Sequence, residues 1–243
     1  MDHETFITRI AEQAEAMQQA AVAAGPAAKV PTCPEWTVKD LVAHIAAVHN
    51  MAAEALTRSI DERPARVPVP DDWDELLAWW AGQRTTLVTR LTENDPAKQV
   101  WGFIPELATV GWWARRQAHE TAIHRLDAEH ARAESVPTLL FDSEMAADGI
   151  DEVLMISEFR ARMKRPEVTV TGTVLLHAAD AGKAWIVRAE EGAVTSGPVE
   201  DSATDADASL VGTADAVFRA AWKRPSTAIA GGRVELLQAL NGG

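Results

Sequence analysis

The sequence predicts two architectures in series: an all-α helical bundle over residues 1–164, then a small α+β domain over residues 165–243. Three observations carry this. Apolar residues recur at three- and four-residue spacing through the first two-thirds of the chain. After Arg165-Pro166 the period shortens to two, and β-branched residues gather in "EVTVTGTVLLHAAD". A length of 243 residues suits one large domain or two modest ones.

Each element has its own local signal. Phe6, Ile10, Ala14 and Met17 stand at helical spacing within residues 4–23, a stretch rich in Ala, Glu, Gln and Met. "GPAAKVPTCPEW" is a Pro-rich connection. Thr37 is a good N-cap with Asp40 three residues on, close to a capping box, and opens a second helix over about 38–59. "DERPARVPVPDD" breaks it. A third helix over about 72–93 carries Trp73, Leu76, Leu77, Trp80, Leu87 and Leu91. "ENDPAKQVWGFIPELATVG" reads as a long loop, followed by helices over about 111–132 and 142–163. Beyond these, "AGK" reads as a turn, "AWIVRAE", "EGAVTSG" and "DASLVGT" as strands, and "ADAVFRAAWKR" and "RVELLQALN" as short helices. "GG" at 231–232 reads as a turn between elements and lacks the spacing of a phosphate loop. No internal repeat is evident.

Composition narrows the function classes. Apolar residues at 47% and charged residues at 24% give an ordinary globular balance. A net charge of −13 argues against a broad nucleic-acid-binding surface. Cys33 is the one cysteine, so no intrachain disulfide forms, which fits a reducing compartment. No apolar run approaches the ~18–20 residues of a membrane span, and "MDHETFITRI" lacks a signal-peptide pattern. The expectation is a cytoplasmic protein with no membrane or nucleic-acid partner. Nothing in the sequence decides its oligomeric state.

The chemistry concentrates in "HETAIH", residues 119–124. It differs by one residue from the zinc-protease string H-E-x-x-H, which works because two His four apart share a helical face. Here His119 and His124 are five apart, about 140° round a helix, whereas Glu120 and His124 are four apart, about 40° round. The glutamate is thereby a ligand rather than a general base. On the same helix Trp112, Arg116, His119, Glu120 and Asp127 all fall within about 60° of Ile123. A core-facing side does not carry Arg, His, Glu and Asp unless they pair or bind something. The face bearing Gln117, Ala118, Thr121, Arg125, Ala128 and Arg132 reads as the solvent side. A third ligand must come from elsewhere, and the second helix offers His44 and His49, with periodicity favouring His44 only slightly. Two imidazoles and one carboxylate suit Zn²⁺ and other divalent ions, with a coordination position left open.

"PTCPEWTVKDLVAHIAAVH" together with "ARRQAHETAIHRLDAE" resembles the mycothiol-dependent maleylpyruvate isomerase family, actinobacterial relatives of the DinB-type four-helix bundles, which implies a DinB-like four-helix bundle over residues 1–164. The paired patterns are C-P-x-W-T/S-V-x-x-L-x-x-H-x-x-x-V-H and R-x-x-x-E-x-x-x-H-R-x-D-A. The segment from "GTVLLHAADAGKAWIVRAEEG" to "AWKR" is similar to the family's sterol-carrier-like C-terminal domain. The resemblance implies a metal triad of His44, Glu120 and His124, which decides for His44 over His49. It implies a divalent metal, Zn²⁺ foremost, and mycothiol as cosubstrate. The thiolate would attack an electrophilic small molecule, either isomerising a cis double bond or remaining attached as an S-transfer product. A dicarboxylate substrate would need a cationic clamp. Arg116 and Arg224 are the candidates, and the family's C-terminal arginine does not align securely among Arg219, Arg224 and Arg233.

Other residues carry weaker expectations. Asp127 is expected either to orient His124 or to pair with a neighbouring arginine. Cys33 precedes a helix N-terminus, where a thiolate is favoured, but its Pro-flanked setting suggests packing. His119 and His49 read as surface residues, and Trp112 and Trp113 as core or pocket wall. Two other functions compete with the thiol enzyme: a non-catalytic small-molecule binding protein, and a metal-dependent hydrolase.

Overall fold

The computed structural model describes residues 1–133, 140–164, 170–191, 193–200 and 205–241. It forms two compact units, Met1–Val136 and Pro137–Gly243. The first contains α1 (His3–Ala24), α2 (Val38–Ala55), α3 (Trp73–Glu93) and α4 (Val110–Arg132). Side-chain oxygens cap all four N-termini. Asp2 accepts from Thr5 N–H, Asp72 from Asp74 and Glu75 N–H, and Thr109 from Trp112 N–H. Thr37 and Asp40 form the complete reciprocal capping box. α1 packs along α4 and α2 along α3, and α2–α4 and α1–α3 contacts close the bundle. Met17, Leu41, Ile45, Leu76 and Trp80 belong to its core.

α2 ends at Ala55, short of the expected residue 59. The hydroxyl of Thr57 donates to the Glu54 carbonyl at 2.8 Å, a local bond that competes with continued helix.

α2 and α4 are entered in the same way, although no repeat is evident in the sequence. Lys29 bridges Thr37, and Gln99 bridges Thr109. Val30 N–H donates to Trp36 O and Val38 N–H to Ala28 O; Val100 N–H donates to Ala108 O and Val110 N–H to Lys98 O. Lys39 N–H and Gly111 N–H donate to Pro26 O and Pro96 O. The underlying strings are "PAAKV…TV" and "PAKQV…TV", the second interrupted by a loop two residues longer. That length difference hides the correspondence from a fixed-period reading.

The second unit contains α5 (Ser143–Lys164), β1 (Gly172–Ala178), β2 (Lys183–Glu190), β3 (Ala193–Val199), β4 (Ala208–Gly212), α6 (Ala214–Ala221) and β5 (Ile229–Gly232). Its sheet runs β3-β2-β1-β4-β5, antiparallel except for the parallel β1–β4 pair. Residues 165–169, the start of the expected first strand, and 201–204, in the acidic stretch, lie outside the described residues. β1, β2, β3, β4 and α6 fall on the segments read as strands and as a short helix. β5 was not expected: Ile229–Gly232 pairs with β4, so the Gly-Gly is a strand end rather than a turn. A Cβ at Gly232, whose φ is 68°, would strike the Asp207 carbonyl, so only glycine brings β5 to that register. "RVELLQALN" is 3₁₀ rather than α.

α5 also departs from expectation. A boundary at 164–165 would group it with the bundle, whereas it packs on α6 and β3 and the division falls at 136–137. Helical period reports an apolar face and not its partner. Trp185 of β2 donates its indole N–H to Asp151 of α5 at 3.1 Å, and Asp215 of α6 accepts from the N–H groups of Leu140 and Phe141 just before α5. The contact is tight at Gly149, where an added Cβ would lie 2.5 Å from the ring of fully buried Phe218. Gly149→Ala gains roughly 1 kcal/mol in helix propensity but overpacks a closed site, at about 1–3 kcal/mol. A net loss of stability is therefore expected in urea unfolding followed by near-UV signals, and an unchanged or raised midpoint would refute this packing.

Candidate metal centre

α4 is buried almost all round. Arg116, Gln117, His119, Glu120, Thr121, His124, Asp127 and Glu129 are all buried on it. The face expected to meet solvent is therefore largely inside: Gln117, Ala118, Thr121 and Ala128 are closed off, and Arg125 donates to Gln13 of α1 at 3.0 Å. Buried polar groups in this number demand partners, and the partners define the site.

His44 of α2 meets Glu120 and His124 of α4. His44 Nε2 and His124 Nε2 lie 3.3 and 3.4 Å from the same oxygen, Glu120 Oε1. One ligand atom from each residue lies within 4.8 Å of the others, the only such cluster among the described residues. The other Glu120 oxygen is taken by the guanidinium of Arg116, one turn earlier. That bond steers one carboxylate oxygen to the two imidazoles and balances the charge of the other.

The hydrogens around His124 can be assigned. Asp127, fully buried, accepts the hydroxyl of Thr32 on Oδ1 at 2.5 Å and pairs with His124 Nδ1 through Oδ2 at 2.9 Å. His124 therefore carries its proton on Nδ1 and turns the Nε2 lone pair toward Glu120 Oε1. Burial first, then the charges on His124 and Arg116, hold the pKa of His44 down to about 4, against the opposing pull of Asp127. At neutral pH His44 is an uncharged electron-pair donor. Two imidazoles and a carboxylate thus converge, which is the donor set of a divalent metal site.

Trp36 forms one wall. Its ring centroid is 5.0 Å from His44 and 6.1 Å from His124. The His44 side chain remains 35% exposed, against 8% for His124, so access to the cluster is from the His44 side.

His49, the alternative third ligand, is elsewhere and fully buried rather than on the surface. Trp80 Nε1–H donates to His49 Nδ1 at 3.2 Å. Thr121 spends its hydroxyl proton on Gln117 O at 2.6 Å, so its oxygen accepts from His49 Nε2–H at 2.9 Å. Counted from the caps Thr37 and Thr109, His49 and Thr121 occupy the same position, as do His44 and Arg116. His119 is likewise buried, its ring edge-on to Phe6 at 5.9 Å. Cys33 Sγ stands 3.9 Å from Asp127 Oδ2, in the loop that carries Thr32.

The three C-terminal arginines belong to the second unit. Arg219 pairs with Asp215 at 2.8 Å and is buried; Arg233 bonds Glu235 and the Thr171 carbonyl; Arg224 donates to the Trp222 carbonyl at 2.8 Å. Sequence reasoning missed Thr32 and gave no role to Trp36. The four-residue spacing that exposed Glu120 and His124 has no counterpart for a loop residue 95 positions from its partner.

Burial, then the charges of Arg84 and His124, hold the pKa of His49 down to about 3. Its unfolded value is about 6.5. Below that value the unfolded chain takes up a proton that the folded chain refuses, so stability falls as pH drops from 6.5 toward 3. The urea midpoint of metal-free protein is expected to fall between pH 7.5 and 5, above the main carboxylate range, and His49→Gln should flatten the fall. A wild-type midpoint that stays level across that window contradicts the assignment.

The family model described as the mycothiol maleylpyruvate isomerase N-terminal domain matches residues 7–129. The match takes in half of the chain, including all of α2 and the α4 segment bearing Arg116, Glu120, His124 and Asp127. No curated protein matches the chain. No helix among the described residues is long and apolar enough to cross a membrane. The chain belongs to the mycothiol maleylpyruvate isomerase N-terminal domain family.

Proposed function

We propose that this protein is a metal-dependent enzyme that uses mycothiol, a low-molecular-weight thiol, to isomerise an electrophilic small molecule or to join the whole thiol to it through sulfur. The observation that carries the reading is the convergence of His44 Nε2, His124 Nε2 and Glu120 Oε1, with the His124 tautomer dictated by Asp127. A divalent ion held by these three, Zn²⁺ foremost, would stabilise the cosubstrate's sulfur as thiolate at neutral pH.

The chain's own residues set the conditions. His44 stays neutral through burial and serves as the exposed edge of the centre. Arg116 holds Glu120 to a single inward oxygen, so in this reading it orients a ligand before it clamps any substrate. Asp127 retains the Nδ1 proton of His124. Trp36 walls one side of the approach. In isomerisation, thiolate adds to one carbon of a cis double bond, rotation follows about the resulting single bond, and expulsion of the same thiolate restores the double bond. In S-transfer the carbon–sulfur bond is retained and the carbanion left on the neighbouring carbon takes up a proton from water. A dicarboxylate would require a further cation; the resemblance implies a C-terminal arginine without singling one out, and Arg224 is the candidate put forward.

The purified protein is expected to hold a stoichiometric divalent metal, measured by plasma mass spectrometry. His44→Ala, Glu120→Ala and His124→Ala should retain a small fraction of it. Metal retained equally by all three variants contradicts the triad. With mycothiol and maleylpyruvate or a generic electrophile, turnover should require both thiol and the intact triad. Bound metal with no rate above the thiol background would instead indicate a binding protein. Turnover of an ester or amide without thiol would indicate a hydrolase.

A further inference from the structure

We infer that Thr32, in the loop between α1 and α2, is a positioning residue of the metal centre, acting through Asp127 on His124. The inference rests on the metal reading above.

Asp127 is fully buried; Thr32 Oγ1–H donates to its Oδ1 at 2.5 Å and His124 Nδ1–H to its Oδ2 at 2.9 Å, with Cys33 Sγ 3.9 Å from Oδ2. A carboxylate on a single short side chain can rotate about its Cβ–Cγ bond. Anchoring Oδ1 stops that rotation and fixes the direction in which Oδ2 faces the imidazole. The imidazole in turn aims Nε2 at the point shared with His44 and Glu120. Partners beyond the ligands orient them in this way in metal sites.

The loop does not need the Thr32 hydroxyl for its own shape. Val30 N–H donates to Trp36 O, Cys33 N–H to Val30 O, Trp36 N–H to Cys33 O and Val38 N–H to Ala28 O. Pro31 and Pro34 restrict the backbone on either side. The same closed loop sets Trp36 against His44 and His124. One segment therefore supplies both a wall of the centre and the anchor of its buried carboxylate.

The test compares wild type, Thr32→Val and Thr32→Ser as full-length protein. Zn²⁺ affinity is read by competition with a chromogenic chelator, ligand geometry by the visible spectrum of the Co²⁺ form, and folding by the urea midpoint of metal-free protein. Thr32→Val is expected to bind Zn²⁺ about tenfold or more weakly and to alter the Co²⁺ spectrum, and Thr32→Ser to restore both. Thr32→Ala gives the same readout should valine disturb the loop. Wild-type affinity in the hydroxyl-free variants, or equal weakening in the serine variant, overturns the inference while leaving the triad standing. Wild-type protein that binds no Zn²⁺ overturns the triad itself.

Discussion

The bundle is organised around the hydrogen bond between His124 and a carboxylate buried at Asp127. A fully buried carboxylate is costly unless its oxygens are satisfied, and this one draws a donor from elsewhere in the bundle. Thr32 comes from the loop before α2, and His124 from the preceding turn of the same helix. Once that bond is in place, the His124 ring has one tautomer and one direction. Everything proposed for the centre follows from the lone pair it turns inward.

A second buried polar pairing runs alongside. Trp80, His49, Thr121 and the Gln117 carbonyl form a chain of hydrogen bonds linking α3, α2 and α4. It fixes the relative register of α2 and α4 and so the height of His44 against Glu120. The two histidines of α2 therefore divide the work. His49, with both nitrogens occupied, specifies packing, whereas His44, at the exposed edge, is the one proposed as a metal ligand. Polar networks of this kind specify one packing only when every member is satisfied. The matching entries into α2 and α4 place His44 and Arg116 at equivalent positions, and both converge on Glu120, one on each oxygen.

How far the sequence could be read depended on whether the signal was local. Glu120 and His124 share a helix at four-residue spacing, so their pairing was legible from periodicity, and the family resemblance supplied His44. Thr37 with Asp40 announced the start of α2. The burial of α4 was not legible, because its Ala- and Arg-bearing side has the composition of a surface; Arg125 is absorbed by Gln13 of α1, a partner 112 residues away. α5 showed its apolar face but not that the face meets α6 and β3. β5 left no trace because it ends in two glycines and takes its strand character from pairing with β4. Thr32 was invisible for the same reason as Gln13: its role depends on a contact that only the folded chain creates.

The most direct test of the central claim is X-ray absorption at the zinc edge, recorded on the purified protein with and without mycothiol. A nearest shell of nitrogen and oxygen at about 2.0–2.2 Å is expected, with a sulfur scatterer at about 2.3 Å appearing only when thiol is added. A sulfur shell already present without thiol would place Cys33 on the metal and contradict the assignment. A shell unchanged by thiol would show that the open position does not serve the chemistry proposed for it.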